Sequence, residues 1–260
     1  VGDFLVGADG RPKEVLQLHR GESNLYDIYP KGNKEKIRVT GNHILPIRFS
    51  DSGKKYGYSK GDKKATSLIT VEDYLKKSKY FKHCSNVMYS ENAIDFGGSD
   101  PDISLSPYFI GVYLGDGSSC GCAVTTADEE ISKEVHEQAK ALGMEVRAEG
   151  LSLYIVGHEG KRNKVFKELD KLGIHFGSQK DRLKCENRFI PESIQTSTIE
   201  FRREFLAGLV DSDGHHANNT SFDFIFKSEQ ITKDLYRLAI GLGLIPKSSK
   251  KMDKKTGNTY

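Results

Sequence analysis

Two aspartates stand at the ends of two similar segments of the sequence. Asp116 lies near the end of Phe109–Gly117 and Asp213 near the end of Leu206–Gly214, each directly before the final glycine. If both segments are helices, each carboxylate faces the negative end of a helix dipole, which costs about 0.3–1 kcal/mol. Neighbouring carboxylates also repel each other, and a divalent cation removes both penalties. Because Mg²⁺ prefers oxygen ligands and keeps several waters, the pair predicts a site for two or more magnesium ions.

A metal site built on this pair has a definite chemistry, since it can activate water and stabilise an in-line displacement at phosphorus. The simpler interpretation is that each Asp-Gly pair only ends a helix. That interpretation explains one aspartate well, but it explains two aspartates at equivalent places of a repeat poorly. The two positions together therefore favour metal-dependent hydrolysis of a phosphodiester.

An internal repeat contains the elements that would position the pair. Residues 131–144 and 231–244 are similar, and Ile, Lys, Ala, Leu and Gly recur at matching places 100 residues apart. The apolar spacing predicts an amphipathic helix in each copy, downstream of the segment that ends in Asp-Gly. Each copy is thus a helix, strand material and a second helix. Duplication of this kind predicts an α+β domain with pseudo-two-fold symmetry.

Small residues recur in the first helix of each copy at a spacing of four. They are Gly111, Gly115, Gly208 and Ser212. Small side chains at this spacing let two helices approach closely, so we expect the two copies to pack together here. The glycines that follow the aspartates, Gly117 and Gly214, suit the left-handed conformation that often ends a helix.

The N-terminal part of the chain has a different pattern, with short alternating stretches. Lys36–Thr40 alternates polar and apolar residues, which predicts a half-buried strand. Ile44–Ile47 predicts another strand, in which Pro46 indicates an edge strand or a strand end. Val71–Leu75 predicts a short helix. This region is therefore expected to be mostly β.

A change of pattern marks the boundary between the two regions. Gly and Pro cluster over Gly97–Asp102, and helical periodicity begins after this segment. We therefore predict a mostly β domain at residues 1–98 and an α+β domain at residues 99–260. A chain of 260 residues is long enough for two domains with separate cores.

Hydropathy and cysteine usage exclude several classes of protein. Mean hydropathy is -0.53, and no apolar run reaches the roughly 18 residues that a membrane span needs. The sequence therefore predicts no membrane partner. The four cysteines lack Cys-x-x-Cys spacing, so we expect neither a zinc site nor a disulfide framework. Free thiols fit a reducing, intracellular compartment.

Lysines are concentrated in three clusters, although the net charge is only +3. Such clusters suit contacts with phosphates, although each cluster alone is more typical of a solvated loop. The clusters are Lys54, Lys55, Lys60, Lys63 and Lys64; Lys76, Lys77, Lys79 and Lys82; and Lys247, Lys250, Lys251, Lys254 and Lys255.

The duplicated segments resemble a known family. LAGLVDSDG at 206–214 is similar to the LAGLIDADG signature of homing endonucleases, and FIGVYLGDG at 109–117 resembles the more divergent first copy found in inteins. The resemblance implies cleavage of double-stranded DNA at a long specific site, by a monomer in which Asp116 and Asp213 are the metal-binding catalytic acids. Arg188 stands where the family often has the lysine of Lys-x-Ile-Pro. Arginine keeps the charge but cannot act as a base, so we expect it to stabilise a phosphate.

The N-terminal region resembles the first half of an intein splicing domain, the Hint domain. Thr40 and His43 fit its Thr-x-x-His motif, and Val1–Val15 resembles the strand pair after an intein's opening segment. Asp9–Pro12 and the Ile190-Pro191 pair are most similar to fungal vacuolar-ATPase inteins. The resemblance implies that His43, together with Thr40, assists an N-to-S acyl shift. It also implies host exteins as partners and an intracellular location, in the nucleus or cytoplasm, that follows the host protein.

The sequence also departs from the intein pattern, which leaves alternatives open. Val1 cannot be the opening nucleophile, and the sequence given ends inside the second repeat without a terminal His-Asn. We therefore expect splicing only in a longer parent chain. One alternative is a degenerate intein that has lost its nuclease activity. Another is a LAGLIDADG protein that acts as an RNA maturase or a DNA-binding regulator, against which the Thr-x-x-His motif argues.

Overall fold

The computed structural model describes residues 1–7, 11–29, 36–49, 66–87, 92–157, 162–176, 183–218 and 221–250. These residues form two compact units. Unit 1 consists of the described residues between Val1 and Ala93 together with Gly243–Ser249. Unit 2 consists of those between Ile94 and Leu242 together with Lys250. The chain therefore passes between the units at Ala93–Ile94, a few residues before the boundary that the sequence suggests.

Unit 1 is rich in short antiparallel strands. β1 pairs with β2, β3 pairs with β4, and β5 lies between β6 and β7. In the described residues the strands are β1 (Phe4–Val6), β2 (Pro12–Glu14), β3 (Leu25–Ile28), β4 (Ile37–Thr40), β5 (Ile44–Phe49), β6 (Thr66–Thr70) and β7 (Ser85–Val87). The strand predicted at Lys36–Thr40 is thus confirmed as β4. The edge position suggested by Pro46 is wrong, because β5 is the central strand of its sheet.

The position of Pro46 within β5 explains why a central strand accepts it. Only Ile47–Phe49 pair with β7, and Pro46 precedes them. A residue without an N–H therefore does not interrupt that ladder. Two helices follow β6, α1 (Val71–Lys76) and α2 (Lys79–Cys84). The first confirms the short helix predicted at Val71–Leu75, and the second was not predicted. They cover a small core, which contains Leu45, Ile47, Phe49, Val71 and Cys84.

Unit 2 mixes helices with small antiparallel sheets. Its described helices are α3 (Pro107–Asp116), α4 (Glu129–Ala141), α5 (Lys164–Lys171), α6 (Glu192–Gln195), α7 (Ile199–Asp213) and α8 (Glu229–Gly241). Its strands are β8 (Ala123–Thr125), β9 (Glu145–Glu149), β10 (Ser152–Val156), β11 (His215–Asn218) and β12 (Ser221–Asp223). β10 lies between β8 and β9, and β11 pairs with β12. Each helix that ends in Asp-Gly is therefore followed by strand material and an amphipathic helix, as the repeat predicts: β8 and α4 follow α3, and β11, β12 and α8 follow α7.

The two amphipathic helices begin and end alike. Asp128 accepts hydrogen bonds from the first-turn N–H groups of α4, and Ser228 does the same for α8. Gly143 and Gly243 follow the helices with φ values of 62° and 78°. Only glycine adopts this left-handed conformation without strain, so these two glycines end the helices.

Helices α3 and α7 lie side by side and parallel, and their backbones touch. A Cβ placed on Gly111 would lie 2.1 Å from the carbonyl oxygen of Phe205. One placed on Gly208 would lie 2.0 Å from the carbonyl oxygen of Tyr108. Both distances are far below van der Waals contact, so only glycine permits this packing. The predicted close approach of the two copies is confirmed.

The hydrophobic core of unit 2 surrounds α3. Every side chain from Phe109 to Leu114 is buried, so the buried positions lie on all sides of the helix. They are Phe109, Ile110, Val112, Tyr113 and Leu114. Residues of α4, α5, α7 and α8 belong to the same core. A helix that is apolar all round is typically a central one. Burial of α3 therefore fixes the position of its last residue, Asp116.

The structure thus contains a strand-rich N-terminal region followed by a mixed α and β region. The Hint-like fold and the pseudo-two-fold symmetry remain predictions. No helix in the described part of the chain is long and apolar enough to cross a membrane.

The contact between α3 and α7 leads to a testable prediction for Gly208. Alanine favours a helix over glycine by about 1 kcal/mol, so Gly208→Ala would stabilise an isolated helix. In the protein the added methyl group would clash with the Tyr108 carbonyl, and we expect the free energy of unfolding to fall by about 1–3 kcal/mol. Urea unfolding followed by circular dichroism measures this change.

Gly121→Ala is the matched control, because a Cβ at Gly121 has nothing within 4 Å. It should leave the urea midpoint nearly unchanged. Equal stability of the Gly208→Ala protein and the unsubstituted protein would contradict the backbone-to-backbone packing.

Candidate active site

The parallel packing brings the two predicted acids together at one end of the helix pair. Asp116 and Asp213 are the last residues of α3 and α7. A Cβ on Gly115 would lie 3.2 Å from the Cβ of Asp213, so Gly115 allows the two helix ends to meet. Both carboxylates are half-buried. The structure therefore brings the sequence-predicted pair to a single site.

The glycines after the two aspartates are extended, with φ values of -69° at Gly117 and -85° at Gly214. The prediction that they adopt the left-handed conformation is therefore wrong. Each N–H donates to the carbonyl oxygen four residues earlier, and the chain then continues toward a strand. A Cβ would lie 2.2 Å from the Tyr113 oxygen or 2.5 Å from the Val210 oxygen. Close approach, rather than a positive φ, accounts for glycine at both places.

Burial disfavours the ionised form of both carboxylates. The pKa of Asp116 is raised to about 6, chiefly by burial and also by the negative charge of Asp213, while Arg188 opposes the rise. Burial also raises the pKa of Asp213, and Arg188 again opposes the rise. Near neutral pH the site therefore holds negative charge at an energetic cost. A cation that binds between the carboxylates would relieve that cost.

Arg188 contacts the end of α3 directly. Its Nη1 donates to the carbonyl oxygens of Leu114 at 2.5 Å and Gly115 at 2.6 Å. Its Nη2 donates to the carbonyl oxygen of Gly117 at 3.1 Å. Carbonyl groups at a helix C-terminus lack partners within the helix and carry partial negative charge, so a cation here is stabilising. Arg188 thus compensates the dipole of the helix that ends at Asp116.

The donors of Arg188 that remain decide what else it can contact. Its Nε is buried and has no acceptor among the described residues. Both hydrogens of Nη1 and one of Nη2 are engaged with carbonyl oxygens, which leaves one Nη2 hydrogen for a further acceptor. Arg188 can therefore meet a phosphate with one hydrogen bond, rather than with the paired geometry typical of arginine.

Helix α8 holds the segment that carries Arg188. Ser228, the N-cap of α8, donates to the carbonyl oxygen of Arg188 at 2.6 Å. Asp234 is buried, and one of its oxygens accepts from the N–H of Ile190 at 3.1 Å. A short loop bound at two points to a rigid helix has a fixed position. The second amphipathic helix therefore positions a residue that acts on the end of α3, a connection that no pattern in the sequence indicated.

Asp211 stands near Asp213 on α7 but is committed to a different partner. The hydroxyl of Tyr108 donates to the Oδ2 of Asp211 at 2.9 Å. Burial and this carboxylate together raise the pKa of Tyr108, so the phenol stays protonated. Leu114 occupies the place of Asp211 in the first copy. The structure therefore gives Asp211 a role in joining α3 to α7, which sequence reasoning missed.

The residues of this site fit a divalent cation of the magnesium type. Asp116 and Asp213 supply carboxylate oxygens in a half-buried setting where negative charge is costly. The described residues contain no cluster of three or more His, Cys, Asp or Glu side chains that would enclose a metal ion. Two carboxylates with open coordination suit Mg²⁺, which is usually bound by few protein ligands together with waters and phosphate oxygens.

Thr40 and His43 lie in unit 1, at the turn between β4 and β5. The N–H of His43 donates to the carbonyl oxygen of Thr40 at 3.1 Å, which closes the turn. The Thr40 hydroxyl donates to the Oδ1 of Asn42 at 2.7 Å. The carbonyl oxygen of His43 accepts from the N–H of Val71 at 3.1 Å, and its imidazole is exposed. The two residues are thus brought together on a turn that is bonded to the start of α1.

The lysine cluster at 76–82 makes contacts within unit 1. Lys76 pairs with Asp73 at 3.0 Å, and Lys77 lies over the ring of Phe81. Lys82 donates to the carbonyl oxygen of Leu75 at 2.7 Å. These contacts favour a role in covering the helices of unit 1 over a role in binding phosphate. Lys54, Lys55, Lys60, Lys63, Lys64, Lys251, Lys254 and Lys255 lie outside the described residues.

Comparison with known proteins assigns a domain to the C-terminal part of the chain. Residues 189–260 match the family model described as Homing endonuclease, a segment that includes Asp213. The chain is also 21% identical over 254 residues to the replicative DNA helicase DnaB of Mycobacterium intracellulare. That alignment covers 94% of this chain but only 39% of the helicase. The family match thus shows that this C-terminal segment is similar to homing endonucleases.

The raised pKa of Asp116 predicts how stability depends on pH. Its folded pKa is about 6, against an ordinary value of 3.8. Stability from this group is therefore fully present below the ordinary value, and it is lost as pH rises through the folded value. Asp116→Asn removes the ionisation, so the variant should melt at a higher temperature than the unsubstituted protein above about pH 6. Below about pH 4 the difference should vanish.

Thermal unfolding in EDTA from about pH 4 to about pH 8 measures this difference. Added Mg²⁺ should then stabilise the unsubstituted protein and have little effect on the Asp116→Asn variant, because a ligand stabilises only the state that binds it. Asp102→Asn, a change at an exposed aspartate of unit 2, is the control and should show no such pH dependence. Equal melting of all three proteins above pH 6 would disprove the strained pair.

Proposed function

We propose that this chain is a LAGLIDADG-type endonuclease that hydrolyses both strands of DNA at a long specific site with Mg²⁺. The proposal rests on one observation above all. Two carboxylates, Asp116 and Asp213, meet at the ends of two glycine-packed helices, where their negative charge is costly. A site that concentrates charge at a cost to stability is typical of function rather than of packing.

Each residue of the site has a role in this reaction. Mg²⁺ bound by Asp116 and Asp213 would supply Lewis-acid stabilisation of the charge that develops on the phosphate. The two aspartates hold their oxygens in a fixed relation because both helix ends are locked by backbone contact. Arg188 stabilises the end of α3 and offers its remaining Nη2 hydrogen to a phosphate oxygen. Arg188 does not act as a base in these roles.

The match to a replicative helicase supports an insertion in a host protein more than it supports helicase activity. The sequence contains no Gly-x-x-x-x-Gly-Lys-Ser/Thr motif, the loop with which such enzymes commonly cradle nucleotide phosphates. The aligned part is 39% of the helicase, as an inserted segment would be. We propose that the chain belongs to an intein whose splicing domain begins in unit 1, with host exteins as its partners. Its location would follow the host protein, in the nucleus or cytoplasm.

Thr40 and His43 would carry the splicing chemistry of that parent protein. The exposed imidazole of His43 stands on a turn that three backbone hydrogen bonds hold between β4 and α1. An imidazole in this setting can donate a hydrogen bond to a scissile amide. The similarity to fungal vacuolar-ATPase inteins remains a prediction.

The nuclease proposal predicts that each aspartate is indispensable for cutting. DNA sites are first selected from random-sequence duplexes by their binding to the chain without metal, and they are then cloned into a plasmid. With Mg²⁺, Asp116→Asn and Asp213→Asn should each lower the rate of plasmid linearisation by at least about 100-fold. Binding should remain, and it should weaken steeply as salt rises, because phosphate contacts release counterions.

Asp211→Asn is the matched control, since Asp211 lies on the same helix and bonds only to Tyr108 among the contacts described. It should still cut. Undiminished cutting by Asp116→Asn or Asp213→Asn would sink the two-carboxylate assignment. Binding without cutting by the unsubstituted chain would favour the degenerate intein, and selection of RNA over DNA would favour the maturase.

A second experiment separates splicing from cutting in a longer parent chain that splices. His43→Ala should strongly reduce precursor processing on a gel and leave plasmid linearisation nearly unchanged. Asp213→Asn should do the reverse. The reason is that the two residues lie in different compact units, and each unit has its own core. Loss of cleavage in a folded His43→Ala protein, as complete as its loss of splicing, would contradict the assignment of two separate sites.

A further inference from the structure

Arg202 is a fully buried arginine in the first turn of α7. No carboxylate among the described residues forms a salt bridge with it. Burying a charge is costly unless hydrogen bonds satisfy it, so the partners of this guanidinium must be strong and well placed. The nuclease proposal assigns Arg202 no part in the reaction. Its contacts therefore call for a separate explanation.

The partners of Arg202 are carbonyl oxygens from three separate segments. Its Nε donates to the oxygen of Ser197 at 3.0 Å, directly before α7. Its Nη1 donates to the oxygen of Gly241 at 3.0 Å, at the end of α8. Its Nη2 donates to the oxygen of Ile94. The planar fork of an arginine can join three acceptors in this way, whereas a lysine presents a single nitrogen.

Two further contacts tighten the same point. The guanidinium lies 4.9 Å from the centre of the Phe96 ring, a distance typical of a cation–π contact. The N–H of Ile94 donates to the oxygen of Gly241 at 2.7 Å, so these two segments also bond to each other. A Cβ on Gly241 would lie 3.0 Å from Nη1, so a larger residue at this position would press against the guanidinium.

The joined segments hold a special place along the chain. Ile94 is the residue at which the chain enters unit 2, and Leu242, next to Gly241, is the residue at which it leaves toward Gly243. The two ends of the continuous stretch 94–242 are therefore held side by side, and Arg202 bonds to both of them.

We propose that Arg202 is a clip that fastens both ends of the stretch 94–242 to the start of α7 and so holds the two ends of this stretch together. The clip acts through directed hydrogen bonds to carbonyl oxygens, so a positive charge without the fork of donors, such as that of a lysine, does not replace Arg202. If the chain before Ile94 or after Leu242 moves, the hydrogen bonds of Arg202 resist transmission of that movement to α7. This helix carries Asp213 at its other end. The proposal does not depend on the nuclease chemistry.

Hydrogen exchange of the full chain tests the clip at a single amide. In Arg202→Met, which removes the donors, and in Arg202→Lys, which keeps the charge, the Ile94 amide should exchange at least about tenfold faster. The Ile110 amide, which bonds to Ser106 within the core helix α3, should exchange as in the unsubstituted chain. Arg203→Met, a change at the exposed neighbour of Arg202, is the control and should alter neither amide.

Three results would overturn the proposal. The first is unchanged protection of the Ile94 amide in both Arg202 variants. The second is equal loss of protection at Ile94 and Ile110, which would make Arg202 an ordinary core residue. The third is full protection in Arg202→Lys, which would show that charge suffices. If Arg202→Met does not fold, Arg202→Lys alone decides: faster exchange confined to the Ile94 amide supports the clip, and unchanged exchange contradicts it.

Discussion

The backbone contact between α3 and α7 is the constraint on which the candidate site depends. At Gly111 and Gly208 the two helices approach so closely that a single methyl group would collide with a carbonyl oxygen. Parallel helices in register at these points must also end together, so Asp116 and Asp213 meet. The apolar side chains around α3 hold the contact in place. Site geometry is thus a consequence of helix packing and requires no separate scaffold.

The same contact creates an electrostatic cost. Burial raises the pKa of both acids, and the charge of Asp213 adds to the rise at Asp116, at helix ends whose dipoles already disfavour negative charge. Arg188 offsets part of the cost by bonding to carbonyl oxygens of α3. Because its terminal nitrogens donate to the backbone and form no described salt bridge with the acids, both carboxylates keep oxygens for a cation. At this site Arg188 therefore compensates the dipole of α3, while the negative charge of the two carboxylates is not neutralised by a described salt bridge.

Arg188 and Arg202 use one kind of chemistry for two purposes. Each donates to three or more carbonyl oxygens and has no described carboxylate partner. Arg188 lies in a loop that α8 holds through Ser228, and it acts on the end of a helix. Arg202 lies inside a helix and bonds to both ends of the stretch 94–242. Planar guanidinium groups suit both tasks, since carbonyl oxygens in different directions need donors in a fixed fork.

Sequence alone determined which segments form helices and where those helices end, because side-chain types recur there with helical periodicity and in two copies. The small residues at spacing four, the two Asp-Gly ends and the matching amphipathic helices predicted the paired helices, and the structure has them. The extended conformation of Gly117 and the central position of β5 did not follow from local pattern, since neighbours decide both. Arg188 was predicted as a charge, but its carbonyl partners lie more than 70 positions away along the chain. Arg202 gave no signal, because burial and long-range hydrogen bonds exist only once the chain has folded.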